Sequence, residues 1–348
     1  MNDHDSDRGA PGSPIFAHLL AMSDGHGLFE HALLDEPRRD HGYCVDDVAR
    51  ALVLLLRESE RTADLDRLVS TYLRFLEAAV DVDGRVHNRM DVGGAWTDDA
   101  GLGDWWGRAV RALGAASVDL PTASDRSRAR IAFHRAASSR SPHGRAMAFA
   151  TLGAADVLSA DPDDLSARAL LRDGVVSIGV PSDARWPWPE PRLRYANAAL
   201  PEALLAGGAA MDDPRVVARG LAMLRFLLDV ETRDGRLSVT GVGGRGPAQR
   251  SVQFDQQPIE VAAIADACAR AFDLTAEPSW RDGVAAAWAW FTGDNDALTP
   301  MIDLESGAGF DGLEEGGRNE NRGAESTLAA LGTYQQAARI GVLERVAP

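Results

Sequence analysis

The 348-residue chain is 45% hydrophobic, enough for a large core, and carries a formal net charge of −16. That charge argues against nucleic acid and against anionic membrane surfaces, which it would repel, while a neutral ligand such as a sugar is compatible with it. All 36 basic residues are arginine, so Schiff-base chemistry, a pyridoxal-phosphate lysine and a Walker-type lysine are excluded.

In chain order, residues 1–12 are polar and acidic and predict a disordered tail. They are the opposite of a signal peptide, so the expected location is the cytoplasm. No apolar run reaches the length of a membrane span. From 13 to 348 no linker divides the chain, and one domain is expected. Six alanine- and glycine-rich helical runs recur along it: DDVARALVLL (46–55), GRAVRALGAA (107–116), GRAMAFATLGAADVL (144–158), ANAALPEALLAGGAAM (196–211), QPIEVAAIADACARAF (257–272) and GAESTLAALGTYQQAA (323–338). Between them fall longer amphipathic segments at 64–80, 124–139, 163–177, 213–231 and 278–292, with 13–23 as the sixth. In 64–80, Leu65, Leu68, Val69, Tyr72, Leu73, Phe75, Leu76 and Val80 form one broad apolar stripe at helical spacing. Asp213-Pro214 and Glu277-Pro278 are helix-start signals. DVDGRVHNR (81–89) and TRDGRLSV (232–239) read as Asp-Gly hairpins on a rim. Small-residue helices crowding an axis inside a ring of amphipathic ones specify an all-α fold, an (α/α)6 toroid of six inner and six outer helices.

On such a toroid the inner-helix N-termini meet at one mouth. Exposed N–H groups and partial positive charge favour carboxylates there. Asp46 and Asp47 open the first inner helix. Asp104 precedes the second beside Trp105 and Trp106. Glu190 precedes the fourth after Trp186 and Trp188. Asp255, Gln256, Gln257 and Glu260 flank the fifth, and Asn319, Asn321 and Glu325 the sixth. Two carboxylates are what glycosidic cleavage requires, one to protonate the leaving oxygen and one to activate water or attack the anomeric carbon. The tryptophans are candidate sugar platforms. Arg50 and Arg108, three and four residues beyond Asp47 and Asp104, share a helical face with them. Arg192, Arg194, Tyr195 and Asn197 are candidates for the same mouth. The histidines show no paired ligand spacing; no metal and no cofactor is expected, and His41 in DHGYCVDD is the imidazole nearest the mouth. Cys44 and Cys268 read as small buried thiols. GVGGRG (241–246) lacks a strand–helix frame and reads as a rim loop.

DGHGLFEHA with HGYCVDDVARAL, GDWWGRAVRALG, LRYANAALPEALL, FDQQPIEVAAIADAC and DGLEEGGRNENRGAESTLAAL together resemble a bacterial family. It is the (α/α)6-toroid domain found alone or fused to family 4-type glycosyltransferases, often encoded with mannoside-processing enzymes. The likeness covers most of 24–332 and is weakest at 118–180. It implies a glycoside-hydrolase-like toroid acting on an oligosaccharide, work beside a glycosyltransferase or mannoside-processing enzyme, and functional weight on Asp46, Asp47, Arg50, Asp104, Arg108, Tyr195, Asn197, Asp255, Gln256, Gln257, Glu260, Asn321, Glu325 and Ser326. The chain departs from the family's TDDNARAL-type motif at Val45 and Val48.

The expected function is an inverting glycoside hydrolase acting on a mannoside or glucoside. Asp47, Asp104, Asp255 and Glu325 are the candidate catalysts. Asp46, Arg50, Trp105, Trp106, Arg108, Trp188, Glu190, Tyr195, Asn197, Gln256, Gln257, Glu260, Asn319 and Asn321 are the candidate substrate contacts. The alternatives are a phosphorylase with Arg194 or Arg250 on the phosphate, a sugar epimerase or isomerase, which needs a histidine pair for which His143 is the nearest candidate, and a non-catalytic carbohydrate-binding partner of a glycosyltransferase.

Overall fold

The structure, a computed structural model, describes residues 15–343; the expected tail at 1–12 lies outside them. Twelve α-helices follow one another among the described residues: α1 (Ala17–Ala21), α2 (Val45–Leu56), α3 (Ala63–Ala79), α4 (Asp104–Asp119), α5 (Ala123–Ala136), α6 (Gly144–Ala160), α7 (Leu165–Ser177), α8 (Ala199–Ala210), α9 (Pro214–Glu231), α10 (Pro258–Thr275), α11 (Pro278–Thr292) and α12 (Ala324–Ile340). The even-numbered helices close a ring: α2 packs on α4, α4 on α6, α6 on α8, α8 on α10, α10 on α12 and α12 back on α2. Outside it, α3, α5, α7, α9 and α11 each lie against the inner helix before them, and α1 lies against α12. This is the (α/α)6 toroid. No described helix is long and apolar enough to cross a membrane.

The two rings differ because their surroundings differ. Outer α3 buries one stripe, including Leu65, Leu68, Tyr72 and Leu76, and starts where the Thr62 hydroxyl accepts the Leu65 N–H. The Asp213 carboxylate likewise caps α9, with Pro214 in the first turn. Inner α6 is packed on several sides and buries residues around its whole circumference, from Arg145 to Ala154. Glycine sets how closely inner helices approach. A Cβ on Gly114 of α4 would sit 2.4 Å from the Gly153 carbonyl oxygen, and one on Gly153 of α6 would sit 2.4 Å from the Val110 oxygen.

Connections from outer to inner helices are long, apart from 137–143, and they hold every short strand of the described residues. The hairpin β1 (Ala32–Leu33)/β2 (Glu36–Pro37) precedes α2. Strand β3 (Tyr43–Cys44) pairs with β4 (Arg89–Met90). The hairpin β5 (Thr232–Arg233)/β6 (Arg236–Leu237) precedes α10, and β7 (Gly312–Glu314)/β8 (Gly317–Asn319) precedes α12. Inner-to-outer connections are short. The elaborated rim therefore surrounds the N-terminal ends of the inner helices, the usual arrangement of variable loops on a rigid scaffold.

Three local expectations need correction. The 232–239 hairpin turns through Asp234 and Gly235 at positive φ, as a two-residue primed turn requires, but 81–89 does not form its own two-stranded hairpin. The Asp81 carboxylate accepts the Asp83 and Arg85 N–H groups and closes a tight turn with a single Val80–Val86 bridge; β4 then pairs with β3. The fourth inner helix starts at Ala199 rather than near 196, because Ala196 adopts a left-handed conformation at φ 43°. The outer helix expected at 13–23 is only Ala17–Ala21 long.

The α4–α6 contact yields a stability prediction. Gly153→Ala drives a Cβ into backbone that cannot swing aside, and overpacking of this kind costs about 1–3 kcal/mol. Urea unfolding should show a loss in that range; an unchanged midpoint would mean that the two helices separate freely.

Candidate functional site at the N-terminal mouth

Helix spacing and the convergence of α2, α4 and α12 build the centre of the site. The Arg50 guanidinium donates to Asp47 Oδ1 at 2.6 Å and to Glu325 Oε2 at 2.5 Å, joining α2 to α12. Arg108 Nε stands 3.0 Å from Asp46 Oδ1, joining α4 to α2, with its guanidinium carbon 4.0 Å from the Phe149 ring centroid. Asp47 and Arg108 are buried. Glu325, with 41% of its side chain exposed, and Asp46, with 22%, stand nearer solvent. A cavity of about 80 Å³ lies beneath, lined by Arg50, Arg108, Phe149, Leu328 and Ala329 among others. That is smaller than typical ligand pockets.

The carboxyl groups here titrate differently. Burial raises Asp104, and the Asp46 charge adds to it, against Arg108, Arg145 and His143. Burial also raises Glu325, but the charge and hydrogen bond of Arg50, with Arg108 and His31, outweigh it, and the net direction is down. Burial pushes Asp47 up to about 7, with Glu325 and Asp46 adding and Arg50 opposing. Arg108 is pushed down to about 10 by burial and by Arg50. Asp104, Asp46 and Glu325 all act on Arg108, which places it among the three.

A second layer fixes the segment entering α8. Arg145 makes a two-pronged pair with Glu190 at 2.7 and 2.8 Å and donates to the Tyr195 carbonyl. Its guanidinium carbon lies 5.2 Å from the Tyr195 ring centroid. The Glu260 carboxylate accepts the Ala196 N–H, the Asn197 N–H at 3.2 Å and Asn197 Nδ2 at 3.0 Å. It thereby holds the left-handed Ala196 in place. Burial and the Glu231 charge raise this carboxyl against those donors.

The remaining sequence candidates divide by depth. Tyr195 is exposed and Gln257 half-buried. Asp255 Oδ1 and Gln257 Nε2 both abut Gly312, 3.2 and 3.3 Å from where its Cβ would lie. Asp255 therefore belongs to the rim between α10 and β7 and shares no arginine with the central carboxylates among the described contacts. Asn197 and Gln256 are fully buried; Gln256 bonds Asp296 and accepts from Trp290, so both act as framework. Asn319 accepts the Asn321 N–H, and Asn321 accepts the Leu34 N–H, which latches the last hairpin to the first rim loop.

The tryptophan platforms also need correction. Trp106 is wholly buried and donates to the Ala136 carbonyl; Trp188, 3% exposed, packs near Phe226. Neither can stack on a ligand. Trp105 is half-buried, with Nε1 donating to the Val86 carbonyl.

Two groups at the mouth, Asp311 and His31, were not singled out as site residues by the sequence, while His143 was named for the epimerase alternative. Asp311 accepts the Gly323 N–H at 2.7 Å, just ahead of α12, and is raised by burial against His31 and its hydrogen bonds. His31 acts on both Asp311 and Glu325, while His41 instead packs edge-on against His31 at 5.1 Å. His143 acts on Asp104. His31 and Asp311 lie within DGHGLFEHA and FDGLEEGG, and the polar density of those stretches was the available signal. For metals, Glu30, Cys44 and Asp47 bring ligand atoms within 4.8 Å of one another. Each is already engaged, Glu30 by Arg89, the Cys44 thiol by Asn88 and Asp47 by Arg50. Burial raises the thiol well above its ordinary value, which disfavours the thiolate that a metal needs.

No family model and no curated protein matches the chain. Solved structures share its fold. Cellobiose 2-epimerase from Bacillus thermoamylovorans superposes with a TM-score of 0.71 at 12% identity, over 95% of this chain and 96% of that one. A sugar epimerase from a ruminal bacterium gives 0.70 at 12%, over 93% and 95%. The cellulase Cel9M of C. cellulolyticium, solved with cellobiose, gives 0.62 at 10%, over 90% and 88%. At these identities the likeness is one of fold.

Asp47 supplies a pH prediction. Its folded pKa of about 7 exceeds the ordinary 3.8, so the folded state holds this proton more tightly than the unfolded chain. The group's contribution is most favourable below about pH 4 and is lost as pH rises through about 7. Relative to Asp47→Asn, the wild type should lose up to about 4 kcal/mol between pH 4 and 7. Urea unfolding of both proteins at the two pH values measures it; a pH-independent difference would contradict the assignment.

Proposed function

We propose that the chain is a carbohydrate-active enzyme and that its reaction is inverting hydrolysis of a glycosidic bond in an oligosaccharide. One observation carries this reading: Asp104 and Glu325 both act on Arg108, and their proton affinities are pushed in opposite directions, Asp104 up and Glu325 down. Paired carboxyls with separated pKa values are the acid and base of such chemistry. Asp104, the carboxyl of raised proton affinity, is the acid that protonates the leaving oxygen as the glycosidic C–O bond breaks. Glu325, the carboxyl of lowered proton affinity, is the base that takes a proton from a water whose oxygen bonds to the anomeric carbon from the opposite face. Arg50 and Arg108 hold the base and stabilise charge as it moves. Asp255, on the rim, is placed to accept a sugar hydroxyl. A mannoside or glucoside is the substrate class that the sequence resemblance favours.

A second reading, sugar epimerisation, has its own observation. The charge of His31 acts on Glu325 and that of His143 on Asp104, which pairs an imidazole with each of these carboxyls, and two bases facing one carbon could remove and return its proton. The toroid is also the fold of the epimerases above. Incubation in D2O separates the two: epimerisation through proton transfer leaves deuterium on the sugar carbon, and hydrolysis does not.

The hydrolytic reading predicts cleavage of at least one member of a gluco- and manno-oligosaccharide panel, read by mass spectrometry. Asp104→Asn and Glu325→Gln should each lower kcat by about 10²–10⁴-fold with ligand binding retained. Turnover surviving both substitutions would remove the assignment.

A further inference from the structure

We infer that the rim groove between residues 192–195 and the turn at 240–244 is an oligosaccharide subsite, holding sugar units beyond those at the bond that reacts. This inference rests on the carbohydrate reading above and names its substrate class: chains longer than a disaccharide.

The groove has a volume of about 520 Å³, and its lining includes Arg194, Tyr195, Val242, Gly243 and Gln257. That lies within the size range of small-molecule sites. Its walls are fixed to each other before any ligand arrives. Leu193 and Arg245 exchange backbone hydrogen bonds of 2.8 and 3.0 Å, and the Arg192 guanidinium donates to the Gly244 carbonyl at 2.8 Å and to Gln249 Oε1 at 2.9 Å. Leu193 is fully buried, whereas Arg194 beside it is exposed. The Tyr195 ring is 41% exposed, an uncommon position for an aromatic side chain that the core does not use. Arg145 backs it and anchors its carbonyl, so the ring is held at little further entropic cost. An open, fixed aromatic ring flanked by an arginine and a glutamine offers a flat apolar surface with hydrogen-bonding groups at its edge, which suits the C–H face and hydroxyls of a pyranose.

Continuity with the mouth decides the occupant. Arg145, whose charge acts on Asp104, lies 5.2 Å from the Tyr195 ring centroid, and Gln257, which lines the groove, abuts Gly312 together with Asp255. A ligand extending from Asp104 past Tyr195 therefore enters the groove. The turn 241–246, which has no role in the central charge network, acquires one as its outer wall.

The test uses binding, so that it stands apart from catalysis. Glu325→Gln protein is titrated calorimetrically with mannose to mannopentaose and glucose to cellopentaose. Affinity in one series should rise about tenfold or more between the disaccharide and the tetrasaccharide. The gain should vanish when Tyr195→Ala is added. It should vanish equally with Gly243→Trp, which fills the groove from a position whose Cβ direction has no atom within 4 Å and so leaves the fold intact by circular dichroism. Affinity independent of chain length, a gain that survives both substitutions, or no binding in either series overturns the subsite. Failure of the catalytic reading is separate: it is wild-type protein that cleaves nothing, or turnover that survives Glu325→Gln, while the chain-length gain persists.

Discussion

Carboxylates can crowd at one end of a toroid only if cations are buried among them, and the placement of Arg50 and Arg108 meets that constraint. Asp46, Asp47, Asp104 and Glu325 come from three helices, and six helix N-termini alone supply only partial positive charge. Arg50 ties Asp47 to Glu325 and Arg108 ties to Asp46. Removing either guanidinium would leave charges buried without a partner, which is far more costly than losing a surface pair. The ring closure of α2, α4 and α12 and the charge pattern of the mouth are thus one structure seen at two scales.

The same logic recurs at the opposite end of the axis. Arg57 meets Asp266 at 2.9 Å, Arg111 lies 3.5 Å from Asp266 and 3.7 Å from Glu202, and Arg270 is 3.2 Å from Glu202. Between the two charged tiers runs an apolar belt with Val53, Leu54, Ile259, Ala263 and Leu328. The lower tier is internally paired and closes the barrel. The lower tier also holds shifted carboxyls, with Asp156 pushed up to about 6 by burial and Asp266, against its burial, drawn down to about 2 by Arg57 and Arg111. The upper tier differs in standing among the long rim loops, with Asp46 and Glu325 partly open to solvent.

Much of this was legible from sequence, and the rest was hidden for a definite reason. Ring membership follows from composition: runs rich in Gly and Ala, such as those holding Gly114 and Gly153, can pack only where backbones touch, and Pro214 and Pro278 mark helix starts that the chain must respect. The carboxylates at helix starts were visible for the same cause. Sequence position, however, fixes a residue's height along the axis and not its azimuth. Trp105 and Trp106 are neighbours, yet one is half-buried beside the rim and the other is entirely core. Asn197 and Gln256 likewise face inward as framework. Asp311 and His31 reach the mouth from loops, where no periodicity reports direction, and Ala196 delays α8 through a backbone conformation held by Glu260 and, at the preceding carbonyl, by Arg145.

The central claim is that Asp104 and Glu325 act from opposite faces of a single glycosidic bond. The most direct measurement is proton NMR of the first product formed from a cleaved oligosaccharide of defined anomeric configuration, before mutarotation. The account predicts a hemiacetal of inverted configuration. A product of retained configuration would contradict it, because retention requires a carboxylate to attack the anomeric carbon where the account places a water.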